Sequence, residues 1–296
     1  MFSPPQRFQV ITTTLALALL FAACSRKEQK PTDLVTFPLK GVIVEIDSTA
    51  GKLVVAHEEI PDYMMAMTMP FRIKEKNLFP GLNVGDSIAA TLAVSRTESW
   101  LETITVIGKG EVPDPELIRG KMLSRVFKTG DTLPDETYLN QDGKKVKLSS
   151  FRGKAIALTF IYTRCPLPDF CIRMSNHFAS LQKILLADRS VAGKWQLLTI
   201  SFDPKFDSPK VLKEYGRSYR AEFSSWDFLT DTDSTGKAIM KLADGFGLTY
   251  ENDEGGLISH NLRTVVLDKE GKLLKVFLGN EWTPAEIADE LKLAIK

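Results

Sequence analysis

The chain has 296 residues, 44% apolar and 25% charged, with a net charge of +1. That length accommodates two domains. The balanced charge offers no basic footprint for nucleic acid and no acidic tail, so nucleic acid is not an expected partner.

The longest apolar run, Val10 to Cys24, contains three threonines and follows Arg7. It reads as the h-region of a secretory leader over residues 1–24. Its end, Phe21-Ala22-Ala23-Cys24, resembles a bacterial lipobox, with Phe where Leu is usual. The expectation is an exported, membrane-anchored lipoprotein facing the periplasm or cell exterior, held by acyl chains on Cys24. Residues 25–35 are polar, include Pro31 and read as a tether. Once Cys24 carries lipid, Cys165 and Cys171 remain as an isolated pair in a disulfide-permissive compartment.

Residues 36–109 read as short strands. Gly41 to Asp47 alternates with Val42, Val44 and Ile46 on one face; further strands follow at Leu53–His57, Met67–Ile73, Ile88–Val94 and Leu101–Ile107. Five strands with turn residues between them predict a small all-β, OB-like barrel. Four of the eight methionines fall between Met64 and Met69. Methionine is ordinarily a core filler. Met67 and Met69 share a strand face, however, and His57 ends the preceding strand. Two thioethers and an imidazole at a barrel rim make a soft site suited to Cu(I). Met67-Thr68-Met69-Pro70-Phe71, with His57 upstream, resembles the CusF-like periplasmic copper-binding domain. The resemblance implies an OB-type barrel holding Cu(I) through His57, Met67 and Met69. That family can place a metal-capping tryptophan where Met64 stands; a third thioether either replaces the ring or packs.

Gly108 to Pro115 breaks the strand pattern, and residues 110–127 read as a linker, with Leu117 to Phe127 a short helix or an extended arm. Over 128–296 strands alternate with helices. A hairpin is expected at Asn140-Gln141-Asp142-Gly143. An apolar strand, Ala155 to Tyr162, delivers Cys165, and helical spacing follows Cys171. Trp195 to Phe202 reads as a buried strand. Ser208-Pro209 starts a helix, Thr235 to Phe246 is amphipathic, and Lys269-Glu270-Gly271 marks a hairpin. Thr283-Pro284-Ala285-Glu286 opens the last helix with a capping box. These are the parts of an α/β thioredoxin-like fold.

Phe160-Ile161-Tyr162-Thr163-Arg164-Cys165-Pro166, Ile200-Ser201-Phe202-Asp203-Pro204 and Ser259-His260-Asn261 together resemble the Sco/SenC family. That resemblance implies copper held by Cys165, Cys171 and His260, and a role in building the copper centre of cytochrome c oxidase. The family has three residues between the cysteines; here there are five, so the loop must fold back for the sulfurs to converge. A structural disulfide and a thiol–disulfide exchange pair are the alternatives. A helix N-terminus near Cys171 would favour its thiolate, and His177 reads as structural or exposed. The expected function is a metallochaperone more than an enzyme: the barrel captures Cu(I) and the second domain delivers it to an oxidase subunit or other copper protein. The rivals are a membrane-anchored thiol–disulfide oxidoreductase preparing client cysteines, and copper sequestration for tolerance.

Overall fold

The computed structural model describes residues 34–61, 63–64, 66–95, 98–113, 126–248, 250–252 and 258–295. The leader with Cys24, most of the tether, Met65 and linker residues 114–125 lie outside them. Among the described residues no helix is long and apolar enough to cross a membrane.

Strands β1 (Val35–Asp47), β2 (Lys52–His57), β3 (Met67–Arg72), β4 (Asp86–Val94) and β5 (Ser99–Lys109) form an antiparallel sheet in the order β3-β2-β1-β4-β5. A single parallel bridge, Ile73 to Leu101, joins the outer strands. The arrangement is OB-like, but the sheet is not closed into a continuous cylinder. The expected inward face of β1 is reversed. Leu39, Gly41 and Ile43 are buried, whereas Val42 and Val44 are only half-buried. A bulge between Ile43 and Glu45 then shifts the register, which lets Ile46 pack against the core. Gly41 pairs with His57, and a Cβ there would lie 2.6 Å from the Ala56 carbonyl oxygen. Only glycine permits the two backbones to cross so closely.

The second sheet begins with the hairpin β6 (Thr137–Asn140) and β7 (Lys145–Lys147), turned at Gly143 with φ +73°. Three parallel strands follow: β8 (Ala155–Ile161), β9 (Trp195–Ser201) and β10 (Trp226–Asp231). The short pair β11 (Tyr250–Asn252) and β12 (Ile258–His260) stands apart; β13 (Arg263–Leu267) and β14 (Leu273–Leu278) complete the order β14-β13-β8-β9-β10-β6-β7. The helices are α1 (Arg173–Ala187), α2 (Pro209–Ser218), α3 (Lys237–Gly245) and α4 (Pro284–Ile295). Helices α1 and α4 pack on each other, and α4 covers β8 and β13. This is the thioredoxin-like arrangement.

The local signals act as expected. The Ser208 hydroxyl accepts from Val211 N at the start of α2. Thr283 and Glu286 close a reciprocal capping box on α4. Strand β10 has no counterpart in the sequence reading, because Asp227 and Asp231 interrupt its apolar run. Both are buried and both are satisfied. Asp227 accepts from Gln141 Nε2 at 3.0 Å and Gln196 Nε2 at 2.9 Å. Asp231 accepts from Ala238 N, at the first turn of α3.

Candidate metal centres

Strand β8 is buried along its whole length and carries the chain to Tyr162 and the cysteine loop. Asp207, fully buried, fixes the start of that loop. Its carboxylate accepts from Thr163 N at 3.0 Å and from the Thr163 and Ser201 hydroxyls. Next to it, Arg164 donates to Asp203 Oδ2 at 2.7 Å. The sequence reading set Asp203 aside and missed Asp207 entirely; its only signal was an acidic residue after a buried strand.

Beyond Cys165 the five intervening residues fold back. Pro168 opens a wide helical turn, Pro168–Ile172, in which Phe170 has the non-helical angles φ −107° and ψ −112°; regular helix starts at Arg173. The distortion accommodates the two extra residues and turns the Cys171 sulfur toward Cys165. The donor atoms of Cys165, Cys171 and His260 all lie within 4.8 Å of one another. Both thiols are free and buried.

His260 ends β12, with Nε2 3.5 Å from the Cys171 sulfur. Its Nδ1 donates to the Asn261 carbonyl at 2.9 Å, which fixes the tautomer and leaves the Nε2 lone pair facing the sulfurs. Rings of Phe202, Tyr162 and Phe170 surround the imidazole at 4.7, 5.8 and 6.0 Å between centroids. Three soft or borderline donors in a nearly dry pocket suit copper, and among the described residues zinc would find no fourth protein ligand in the cluster.

The two thiols differ in acidity. Burial opposes ionisation of Cys165, but the hydrogen bond from Cys171 and the neighbouring His260 imidazole outweigh it and hold the thiol well below its ordinary value. Burial, together with the hydrogen bond to Cys165 and that residue's charge, pushes Cys171 well up. The expected helix effect on Cys171 loses to its complete burial.

In the first sheet, His57 pairs with Met67 and Val55 with Met69 across β2 and β3. Residues two apart share a face, so His57, Met67, Met69 and Phe71 line one side. The Phe71 ring meets the imidazole edge-on at 5.5 Å. His57 Nδ1 donates to the Glu58 carbonyl at 2.6 Å, while Nε2 is buried without a hydrogen-bond partner. Burial holds this imidazole below its ordinary pKa. A neutral ring with an orphaned buried lone pair beside two thioethers is a donor set that a soft cation would complete. Met64 is buried and bridges to Ile60. His177 stands apart from both clusters, edge-on to Trp282 at 4.8 Å.

A thioredoxin-like module with a thiolate–imidazole cluster, behind an OB-like module with a thioether–imidazole cluster, defines a class of copper-binding proteins. Comparison with known proteins supports this. Residues 130–296 match the SCO1/SenC family, and residues 36–107 match the copper-binding periplasmic protein CusF. The chain belongs to the SCO1/SenC family and carries an N-terminal CusF-like region. It is 31% identical over 159 residues to the SCO1 protein homolog of Bacillus subtilis, covering 53% of this chain and 80% of the relative. A SCO2-like protein of Rickettsia typhi is 27% identical over 143 residues, covering 47% of this chain and 66% of the relative. The crystal structure of a SCO1/SenC family lipoprotein from Bacillus anthracis superposes with a TM-score of 0.51 at 26% identity, covering 58% of this chain and 99% of that one. Copper is the metal of both matched families.

Proposed function

We propose that this protein is a copper chaperone that captures Cu(I) and delivers it to a copper-receiving protein, the respiratory oxidase being the expected client. Copper is cargo here, not a resident catalyst. In the proposed arrangement a barrel module over about 36–109 holds Cu(I) through His57, Met67 and Met69, with Met64 at its rim. A thioredoxin-like module over about 128–296 holds it through Cys165, Cys171 and His260. Residues 110–127 link the modules, and a lipid on Cys24 tethers them through 25–35 to the outer face of a membrane.

The observation that carries the reading is the convergence of Cys165, Cys171 and His260 across 95 residues of sequence into one buried cluster, with both thiols reduced. The thiolates bind Cu(I) more tightly than thioethers do, so cargo moves downhill from barrel to cysteine pair. His260 keeps its lone pair toward the sulfurs without rearrangement, because its other nitrogen is already engaged. The test is Cu(I) titration with X-ray absorption on the full chain and on its Cys165→Ser/Cys171→Ser form. Two equivalents are expected, one sulfur-rich with a single nitrogen and lost in the double variant. A single site, indifferent to His57→Ala and Met67→Ala, would end the relay reading.

One observation favours a second reading. The lowered pKa of Cys165 beside Cys171, whose pKa is raised, is the arrangement of an attacking and a resolving thiol. Turnover on a disulfide substrate that disappears in Cys171→Ser would support an oxidoreductase instead.

A further inference from the structure

The five residues between the cysteines exceed what the metal cluster needs, and their contacts reach in two directions. Toward the cluster, the Leu167 carbonyl faces the Cys165 sulfur at 4.0 Å and the Phe170 ring meets His260. Toward the first sheet, the Asp169 carboxylate accepts from Ser99 N at 3.0 Å and from the Ser99 hydroxyl at 2.6 Å, both at the start of β5. Its other oxygen accepts from Arg173 Nη1 at 3.1 Å, and its carbonyl from Asn280 Nδ2 at 2.6 Å. Beside this knot, Glu281 pairs with Lys52 of β2. One residue is thus pinned to α1, to the loop before α4 and to the β-sheet of the other module.

We propose that the loop between the cysteines is the docking surface through which the thioredoxin-like module holds the CusF-like region of the same chain, with Asp169 as its positioning residue. A carboxylate that takes both Ser99 donors fixes the loop's orientation as well as its distance, as two convergent charge-assisted hydrogen bonds do. Docking brings the loop within electrostatic reach of Tyr63, the neighbour of Met64 in sequence. Burial, and then the charges of Cys165 and Asp169, push the Tyr63 phenol up, so these groups lie within electrostatic reach of one another. The role proposed for copper passage rests on the relay reading above; the docking itself does not.

Two measurements separate these claims. In the copper-free full chain, Asp169→Ala should speed exchange of the Ser99 amide by about tenfold, leaving the β9 amides at Thr199 and Ser201 unchanged. Unchanged Ser99 exchange would overturn the docking. In the copper-loaded full chain, Ser99→Ala should slow transfer from barrel to cysteine pair by about tenfold. The affinity of each site, measured with the other removed (Cys165→Ser/Cys171→Ser or Met67→Ala/Met69→Ala), should not change. If Ser99→Ala weakens the cysteine site itself, the contact only shapes the loop and the positioning role fails. If the unaltered chain moves no copper between its sites, the relay fails, and Ser99 exchange still decides the docking.

Discussion

Replacing Gly41 by alanine tests how tightly the barrel's backbone fixes His57. A Cβ at position 41 would sit 2.6 Å from the Ala56 carbonyl oxygen, 2.7 Å from His57 Cα and 2.7 Å from Val55 Cγ1. Two of these three atoms are backbone, so no side-chain rotation relieves the clash and β1 must move away from β2. Overpacking of this kind costs about 1–3 kcal/mol. For a unit the size of the first sheet, about 2 kcal/mol lowers the melting temperature by roughly 10 °C. One of the displaced atoms is the Cα of His57 itself, so the barrel should also bind Cu(I) about tenfold more weakly, a loss of ~1.4 kcal/mol. Thermal unfolding by circular dichroism reads the first effect. Chelator competition in a Cys165→Ser/Cys171→Ser background reads the second. Gly108→Ala is the control: it lies in β5, and nothing stands within 4 Å of a Cβ placed there. A Gly41→Ala protein that melts within 2 °C of the unaltered chain and binds Cu(I) equally well would refute the reasoning.

Three further outcomes are expected. His177 is held down to about 4, by burial first and then by the charges of Arg173 and Arg72. A depressed histidine contributes stability that is complete above its unfolded value near 6.5 and is lost as pH falls toward 4. Denaturant midpoints should drop across that window and His177→Gln should flatten the fall; an unchanged acid limb would count against it. Asp207→Ala removes three hydrogen bonds from a fully buried carboxylate, costing about 2–4 kcal/mol. It should also speed alkylation of Cys165, and unaltered alkylation would mean the loop holds itself. His260→Ala should weaken Cu(I) binding at the cysteine pair by about tenfold or more while leaving the barrel site untouched; equal affinity by chelator competition would remove His260 from the ligand set.

Much of this architecture was legible in local chemistry. The capping box at Thr283–Glu286, the Ser208 cap, the hairpin glycines and the two-residue periodicity of the first strands each act over a few residues, and each element formed where expected. The failures have one character. The inward face of β1 reverses because a bulge at Val44 changes the phase, and the pattern Val42, Val44, Ile46 looks equally apolar from either side. Strand β10 escaped notice because Asp227 and Asp231 look like surface residues until Gln141, Gln196 and the first turn of α3 arrive to satisfy them. Asp207 and Asp169 were silent for the same reason: their partners lie 44 and 70 residues away.

The sequence alone determined which donors this chain possesses: two thiols near residue 170, a Met-Thr-Met strand with a histidine before it, and one more histidine in a Ser-His-Asn setting. Residue type sets softness, and softness selects the metal, with no need of coordinates. Only the tertiary structure decided whether those donors meet. Convergence depends on a kink at Phe170, on the tautomer that Asn261 imposes on His260 and on the carboxylate of Asp207, all of them long-range or conformational facts. The five-residue gap illustrates the division. As spacing it matched neither a copper loop nor a redox pair; in the fold it wraps the cluster on one side and grips β5 on the other.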